Sequence, residues 1–195
     1  MLINICRVFA VLIGMGVFTL GAGAQETVTG TVVSYGTGFS TRLRTGSFTL
    51  RINRYTSDDR AQRLLGYLQS GQDERLLNEL DNEDVGTFSI NGKIGPRVNV
   101  ARESMVNGQR RIIAVLRRWM NFGEIRGGYR STDYPYSVIE LYIDPRTGKG
   151  EGTFIAAAKI RWRSGTAGRN QIEIEDFSTF PARMMGVTVR GGMSR

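Results

Sequence analysis

The chemistry open to this chain is narrowed first by what it lacks. Among 195 residues there is no histidine and a single cysteine, Cys6. Without imidazole there is no Ser-His-Asp triad, no His-ligated zinc and no imidazole proton shuttle. Any reaction must run on carboxylates, hydroxyls, Lys, Tyr or Arg. These types concentrate between Arg118 and Tyr136, a long stretch without clean periodicity that holds Trp119, Phe122, Tyr129, Tyr134 and Tyr136 beside Arg126, Arg130, Glu124 and Asp133. Irregular segments of this length within a domain are enriched in function. Aromatic rings with arginine forks can stack on a flat or sugar-like group and grip an anion. The candidate ligand-binding residues are therefore Trp119, Arg126, Tyr129, Arg130, Asp133, Tyr134 and Tyr136. The competing reading makes the same stretch a plain connection, its aromatics packed on the core edge and Asp133 making a turn bond before Pro135.

Other tempting groups have simpler explanations. Glu173 and Glu175 resemble an acid/base pair, but a register that sets Lys159 against Glu175, Arg161 against Glu173 and Arg163 against Gln171 also sets Ile160 against Ile174 and Trp162 against Ile172. Charges then share one face and apolar groups the other, which predicts a solvated charge ladder. The segment from Asp144 to Glu151 has two carboxylates and two cations, too few oxygen donors for calcium. Gly148-Lys149 lacks the spacing of a phosphate loop. No catalytic set, metal site or cofactor motif is assigned.

The elements that must position these groups are mostly strands. Thr27 to Val33 and Phe48 to Asn53 alternate as half-buried strands do, and the glycine-rich 36–46 connection reads as an exposed loop. Over residues 56–82 the period becomes helical: Thr56 with Asp59 resembles a capping box, Ala61, Leu64, Leu65 and Leu68 share a face, and after Gly71 so do Leu76, Leu77 and Leu80. The expectation is an inserted αα-hairpin that plugs one end of the sheet, or less simply acts as a lid. Asn107-Gly108 is a strong hairpin signal that pairs Val100 with Val115 and Arg102 with Ile113. A hairpin joins 138–143 to 152–159, and Gly186 to Arg190 forms a last strand. The fold class is mainly β: an antiparallel β-barrel or β-sandwich of about eight or nine strands.

The first 24 residues read as a secretory leader. Arg7 is their only charge, Val8 to Leu20 is an apolar run of 13 residues, and Gly21 to Ala24 are small. A bilayer span needs about 20 residues. Cleavage after Ala24 leaves residues 25–195 as one domain without a thiol, held by packing alone, and no transmembrane segment. Removing Arg7 from 26 basic residues leaves 25 against 18 acidic ones, a net charge of +7. Nearly all of it is arginine, suited to carboxylates, phosphates and sulfates; the lysines are Lys93, Lys149 and Lys159.

Ser131-Thr132-Asp133-Tyr134-Pro135, Ile139-Glu140-Leu141, Gly148-Lys149-Gly150-Glu151-Gly152 and Ile172-Glu173-Ile174-Glu175 together resemble a family of exported bacterial proteins with no known activity. The likeness covers the last third of the chain and implies an envelope or secreted setting, nothing about chemistry. Three functions follow as expectations. The first is a non-enzymatic periplasmic or secreted binding module whose partner is an anionic or glycan-like ligand or envelope component, not nucleic acid. The second is a carboxylate-dependent hydrolase using Asp133 or Glu124 with Arg126 or Arg130. The third is a small outer-membrane barrel, against which arginine and glutamate interrupt nearly every strand.

Overall fold

Among the described residues, ten strands form where side chains alternate. The computed structural model describes residues 25–35, 43–118, 130–163, 171–177 and 181–191. In chain order come β1 (Glu26–Tyr35), β2 (Leu43–Ile52), helices α1 (Asp58–Gln69) and α2 (Asp73–Asp81), then β3 (Gly86–Ile90), β4 (Arg97–Val98), β5 (Val100–Val106) and β6 (Gln109–Arg117). A 3-10 turn, Arg130–Asp133, precedes β7 (Tyr136–Ile143), β8 (Lys149–Arg163), β9 (Gln171–Asp176) and β10 (Ala182–Arg190).

The sheet runs β4-β3-β2-β1-β10-β8-β7-β6-β5, and every pairing is antiparallel. Its two ends, β4 and β5, are separated by one residue, Asn99, so the sheet returns on itself as a nearly closed barrel. The wall has eight positions, because β4 and β5 lie on one line and β9 extends the far half of β8 beyond β10. Asn99 holds the seam. It is buried, its amide donates to Val115 O (3.0 Å), and its side chain donates to Leu80 O (2.8 Å) and Glu83 O (3.1 Å) while accepting from Arg117 N (2.6 Å).

Inward positions build the main core. Val28 and Val32 of β1, Phe48, Leu50 and Ile52 of β2, Phe88 of β3 and Ile139, Leu141 and Ile143 of β7 meet inside the barrel. The helices pack elsewhere. Leu64, Leu68, Leu76 and Leu80 join Tyr136, Val138 and Ala158, with Val100, Ile113 and Val115 against them. These strand residues alternate with the barrel-filling ones, so the αα-hairpin covers the outer face of β5 to β9 and neither plugs nor caps an end. The expected placement is corrected by a simple cause: this part of the wall is apolar on both faces, and each buried leucine removed from water contributes about 1.5–3 kcal/mol. Helix α1 starts one residue later than expected. Ser57 is the N-cap, its Oγ accepting from Arg60 N (3.3 Å), whereas Thr56 is buried and accepts from Ala101 N.

Both hairpin registers occur as expected. Val100 faces Val115 and Arg102 faces Ile113 across an Asn107-Gly108 turn with positive φ at both residues. Strand β9 pairs Lys159 with Glu175, Arg161 with Glu173 and Trp162 with Ile172. The faces differ from the sequence reading, because Ile160, Trp162, Ile172 and Ile174 lie under the helices and the charged face continues the inner wall of the barrel. Glu173 is therefore only 8% exposed, and the ion pairs run diagonally, Arg163 to Glu173 (2.5 Å) and Arg161 to Glu175 (3.1 Å). Between β7 and β8 the loop is shorter than expected, and the Asp144 carboxylate accepts from Arg146 N (2.7 Å), the bond that holds its pKa below the usual range.

Candidate functional site

The two ends of the barrel have opposite chemistry. At the end where β1 begins, Glu26 shares the inward face with Val28, and Arg110 shares it with Ile112. Strands β1 and β6 stand four positions apart in either direction around the wall, so these side chains meet across the lumen. Arg110 reaches Glu26 with both terminal nitrogens (2.5 and 2.7 Å) and Glu103 with Nη2 (2.6 Å) and Nε (2.8 Å). The Tyr55 hydroxyl accepts from Arg110 and donates to Glu26 (2.7 Å each). Glu26 is 2% exposed. Burial pushes the Tyr55 phenol well above its ordinary pKa, with the Glu26 charge adding to the effect, so it stays a donor. For Arg110 burial works against the charge, but the two carboxylates outweigh it and hold the guanidinium above its usual range. A bidentate fork of this kind is the strong form of the interaction. It spans this end.

At the other end, where β3 and β6 finish and β7 begins, the lumen is apolar and partly empty. A pocket of about 240 Å3 is lined by Phe88, Ile90, Leu116, Ser137 and Phe154, with Lys93 to Pro96 as one wall. Phe88 and Phe154 sit with ring centroids 5.1 Å apart. Asn91 and Gly92, both at positive φ, turn the chain back from β3, and Lys93 N donates to Ile90 O (3.2 Å). Gly95 then lies so close to the Phe88 carbonyl that a Cβ there would fall 1.5 Å from its oxygen. The wall is thus pinned to β3. Ile94, 91% exposed, and the exposed Lys93 stand at its rim.

A second cleft of about 320 Å3 lies outside the barrel at the start of α1, where Arg54, Arg60, Arg63 and Glu83 meet. Its charges largely answer one another: Arg60 pairs with Glu79 (2.8 Å) and Glu83 (2.7 Å), and Arg54 with Glu83 (3.5 Å). It clamps the helices to the loop after β2.

The residues singled out by sequence divide. Trp119, Arg126 and Tyr129, with Glu124, lie outside the described residues, as does the side chain of Arg130. Asp133 is exposed in the 3-10 turn. Tyr134 is 8% exposed, stacks obliquely on Phe177 at 5.1 Å and donates to Glu175 (2.5 Å). Tyr136 is 3% exposed under the helices, where burial, then the Asp73 charge, raises its pKa to about 12. Both tyrosines are buried and in contact with neighbouring side chains. The groups that sequence reasoning passed over are Glu26, Arg110, Asn99 and the pocket wall at Asn91 to Gly95. Glu26 and Arg110 each carry a charge on the apolar parity of a strand, a signal of a buried pair, and Asn91-Gly92 repeats the turn signal recognised at Asn107-Gly108.

Compared with protein-family models, with curated proteins and with solved structures, the chain shows no match.

Proposed function

We propose that the chain is an exported, non-enzymatic binding module that takes an anion with an apolar part into the pocket end of its barrel. The observation that carries this reading is the asymmetry of the lumen, spanned by the Glu26–Arg110 strut at one end and left as an apolar pocket with Lys93 at its rim at the other. Barrel mouths are favoured ligand sites, and a volume just under the roughly 300–1,000 Å3 of ordinary small-molecule pockets suits one ring or a short acyl segment rather than a whole lipid. The hydrolase reading rests on Asp133 or Glu124 with Arg126 or Arg130; Asp133 is exposed in the 3-10 turn, while Glu124, Arg126 and the side chain of Arg130 lie outside the described residues, so nothing described brings that set together. The apolar positions point inward and the outward ones carry Thr, Arg or helices, the reverse of a lipid-facing barrel.

Octanoate and octanol test the reading, with calorimetry for affinity and methyl resonances of Leu116 and Ile90 for location. Octanoate binds and shifts both methyl groups, Lys93→Gln brings its affinity down to that of octanol, and Ser137→Leu, which fills the pocket, weakens both by about tenfold or more. Equal binding of octanol and octanoate to the unaltered protein, or octanoate binding that Ser137→Leu leaves intact, refutes it.

A further inference from the structure

The outer wall opposite the helices has a composition of its own. Register aligns the outward residues of β10, β1 and β2 in rows: Arg190, Thr27 and Arg51, then Thr188, Thr29 and Thr49. Below them lie Met185, Thr31 and Ser47, then Arg183, Val33 and Thr45. On the next strand Thr87 lies beside Arg51 and Ser89 beside Thr49, and Arg97 follows Thr87. Hydroxyls and guanidinium groups make up nearly the whole of these rows, and none of their residues is a carboxylate.

Among the paired arginines, Arg60, Arg102 and Arg117 beside the helices hold Glu79 and Glu83, Asp58 and Asp81 respectively, Arg110 in the lumen holds Glu26 and Glu103, and Arg111 holds Glu140, whereas Arg63, Arg75 and Arg146 are exposed without an ion pair to any described residue. Arg51, Arg183 and Arg190 are exposed and form no ion pair with any described residue.

We propose that this face binds an acidic polysaccharide, a glycan chain bearing carboxylate or sulfate groups. Strands lie about 4.8 Å apart, so Arg190 and Arg51, two strands apart, stand about 10 Å from each other, and the rows from Thr27 to Val33 cover about 20 Å along the strand. Anionic groups spaced along a polymer can engage such arginines in bidentate fashion. Threonine hydroxyls between them both donate and accept, as sugar hydroxyls do, and their β-branched side chains hold few rotamers. These rows hold no aromatic ring on which a nucleic-acid base would stack and only Met185 and Val33 as apolar groups, so a glycan fits better than nucleic acid or a membrane. This site lies on the outer wall, and its test is independent of the pocket, because octanoate does not report on it.

The experiment measures binding of the protein to immobilised polygalacturonate, dextran sulfate, neutral dextran and duplex DNA at physiological salt. Polygalacturonate or dextran sulfate is retained, telling carboxylate from sulfate as the anionic group, and dextran is not. The variant Arg51→Gln/Arg183→Gln/Arg190→Gln loses about tenfold or more in affinity, while Arg63→Gln/Arg75→Gln/Arg146→Gln, an equal charge change on the helices and the β7–β8 turn, loses much less. Thr29→Val/Thr49→Val, which suits a strand, weakens the glycan and leaves binding to DNA unchanged. The proposal is overturned if both arginine triples weaken binding equally, if duplex DNA binds as tightly as either acidic glycan, or if no acidic glycan is retained.

Discussion

Removing Arg110 tests whether a charged strut, and not apolar packing alone, closes the first end of the barrel. In Arg110→Met the side chain stays long and unbranched but loses its fork, leaving Glu26 at 2% exposure beside Glu103 with no counter-charge. Breaking a buried pair from one side costs about 3–5 kcal/mol. For a domain of this size each kcal/mol moves the melting temperature by about 2–4 °C, so the loss amounts to roughly 6–20 °C. The double variant Glu26→Gln/Arg110→Met removes both charges. The amide introduced at position 26 can still accept from Tyr55, and Glu103, about one-third exposed, turns to water. This variant recovers about 1–3 kcal/mol relative to the sum of the single changes, the coupling expected of groups in direct contact. Arg110→Lys falls between, since an ammonium cannot serve two carboxylates with a planar fork. Thermal and urea unfolding followed by circular dichroism measure the parent, Glu26→Gln, Arg110→Met, the double variant and Arg110→Lys. A loss below about 1 kcal/mol in Arg110→Met, or strict additivity in the double variant, refutes the strut.

Two further outcomes concern the seam and the helix-covered face. Asn99→Leu removes three side-chain hydrogen bonds and strands Arg117 N and the Glu83 carbonyl, while Leu80 O keeps its bond from Glu83 N, so it destabilises by about 2–4 kcal/mol; hydrogen exchange quickens first at the β4–β6 seam, and unchanged protection there contradicts the role. Tyr136 has a folded-state pKa of about 12 against 10.0 for the free phenol. The neutral form is thus favoured in the folded state, its stabilisation is whole below pH 10 and is lost as pH rises to about 12, to the extent of roughly 2–3 kcal/mol. Tyr136→Phe flattens that alkaline decline, and a variant that declines as steeply as the parent rules the assignment out.

The strand pattern, the αα insert and two registers were legible because period and turn chemistry are local. Asn107-Gly108 fixes one hairpin by backbone geometry, and the Lys159 to Arg163 segment fixes another by two faces that agree. The side on which the helices land was written less openly. Ile112-Ile113-Ala114-Val115-Leu116 and Val138-Ile139 are apolar on both parities, which marks a wall covered on both faces, but only the closed topology tells which layer supplies the cover. The burial of Glu173 was hidden for the same reason, since alternation separates two faces without saying which one meets water. The seam at Asn99 and the meeting of Glu26 with Arg110, 84 residues apart, depend on closure and have no local signature beyond a polar residue in an apolar position.

The excess of arginine over lysine gains a physical meaning once the two halves of the wall are compared. A basic surface needed only for solubility can be built from either residue. A fork is required where one cation must hold two acceptors, and that is its use in Arg110 between Glu26 and Glu103 and in Arg60 between Glu79 and Glu83. On the hydroxyl-rich face the same fork recurs in Arg51, Arg183 and Arg190 with no described carboxylate to hold. Exposed guanidinium groups set among threonines, on a part of the wall the helices leave uncovered, have their geometry in place for acceptors that come from another molecule.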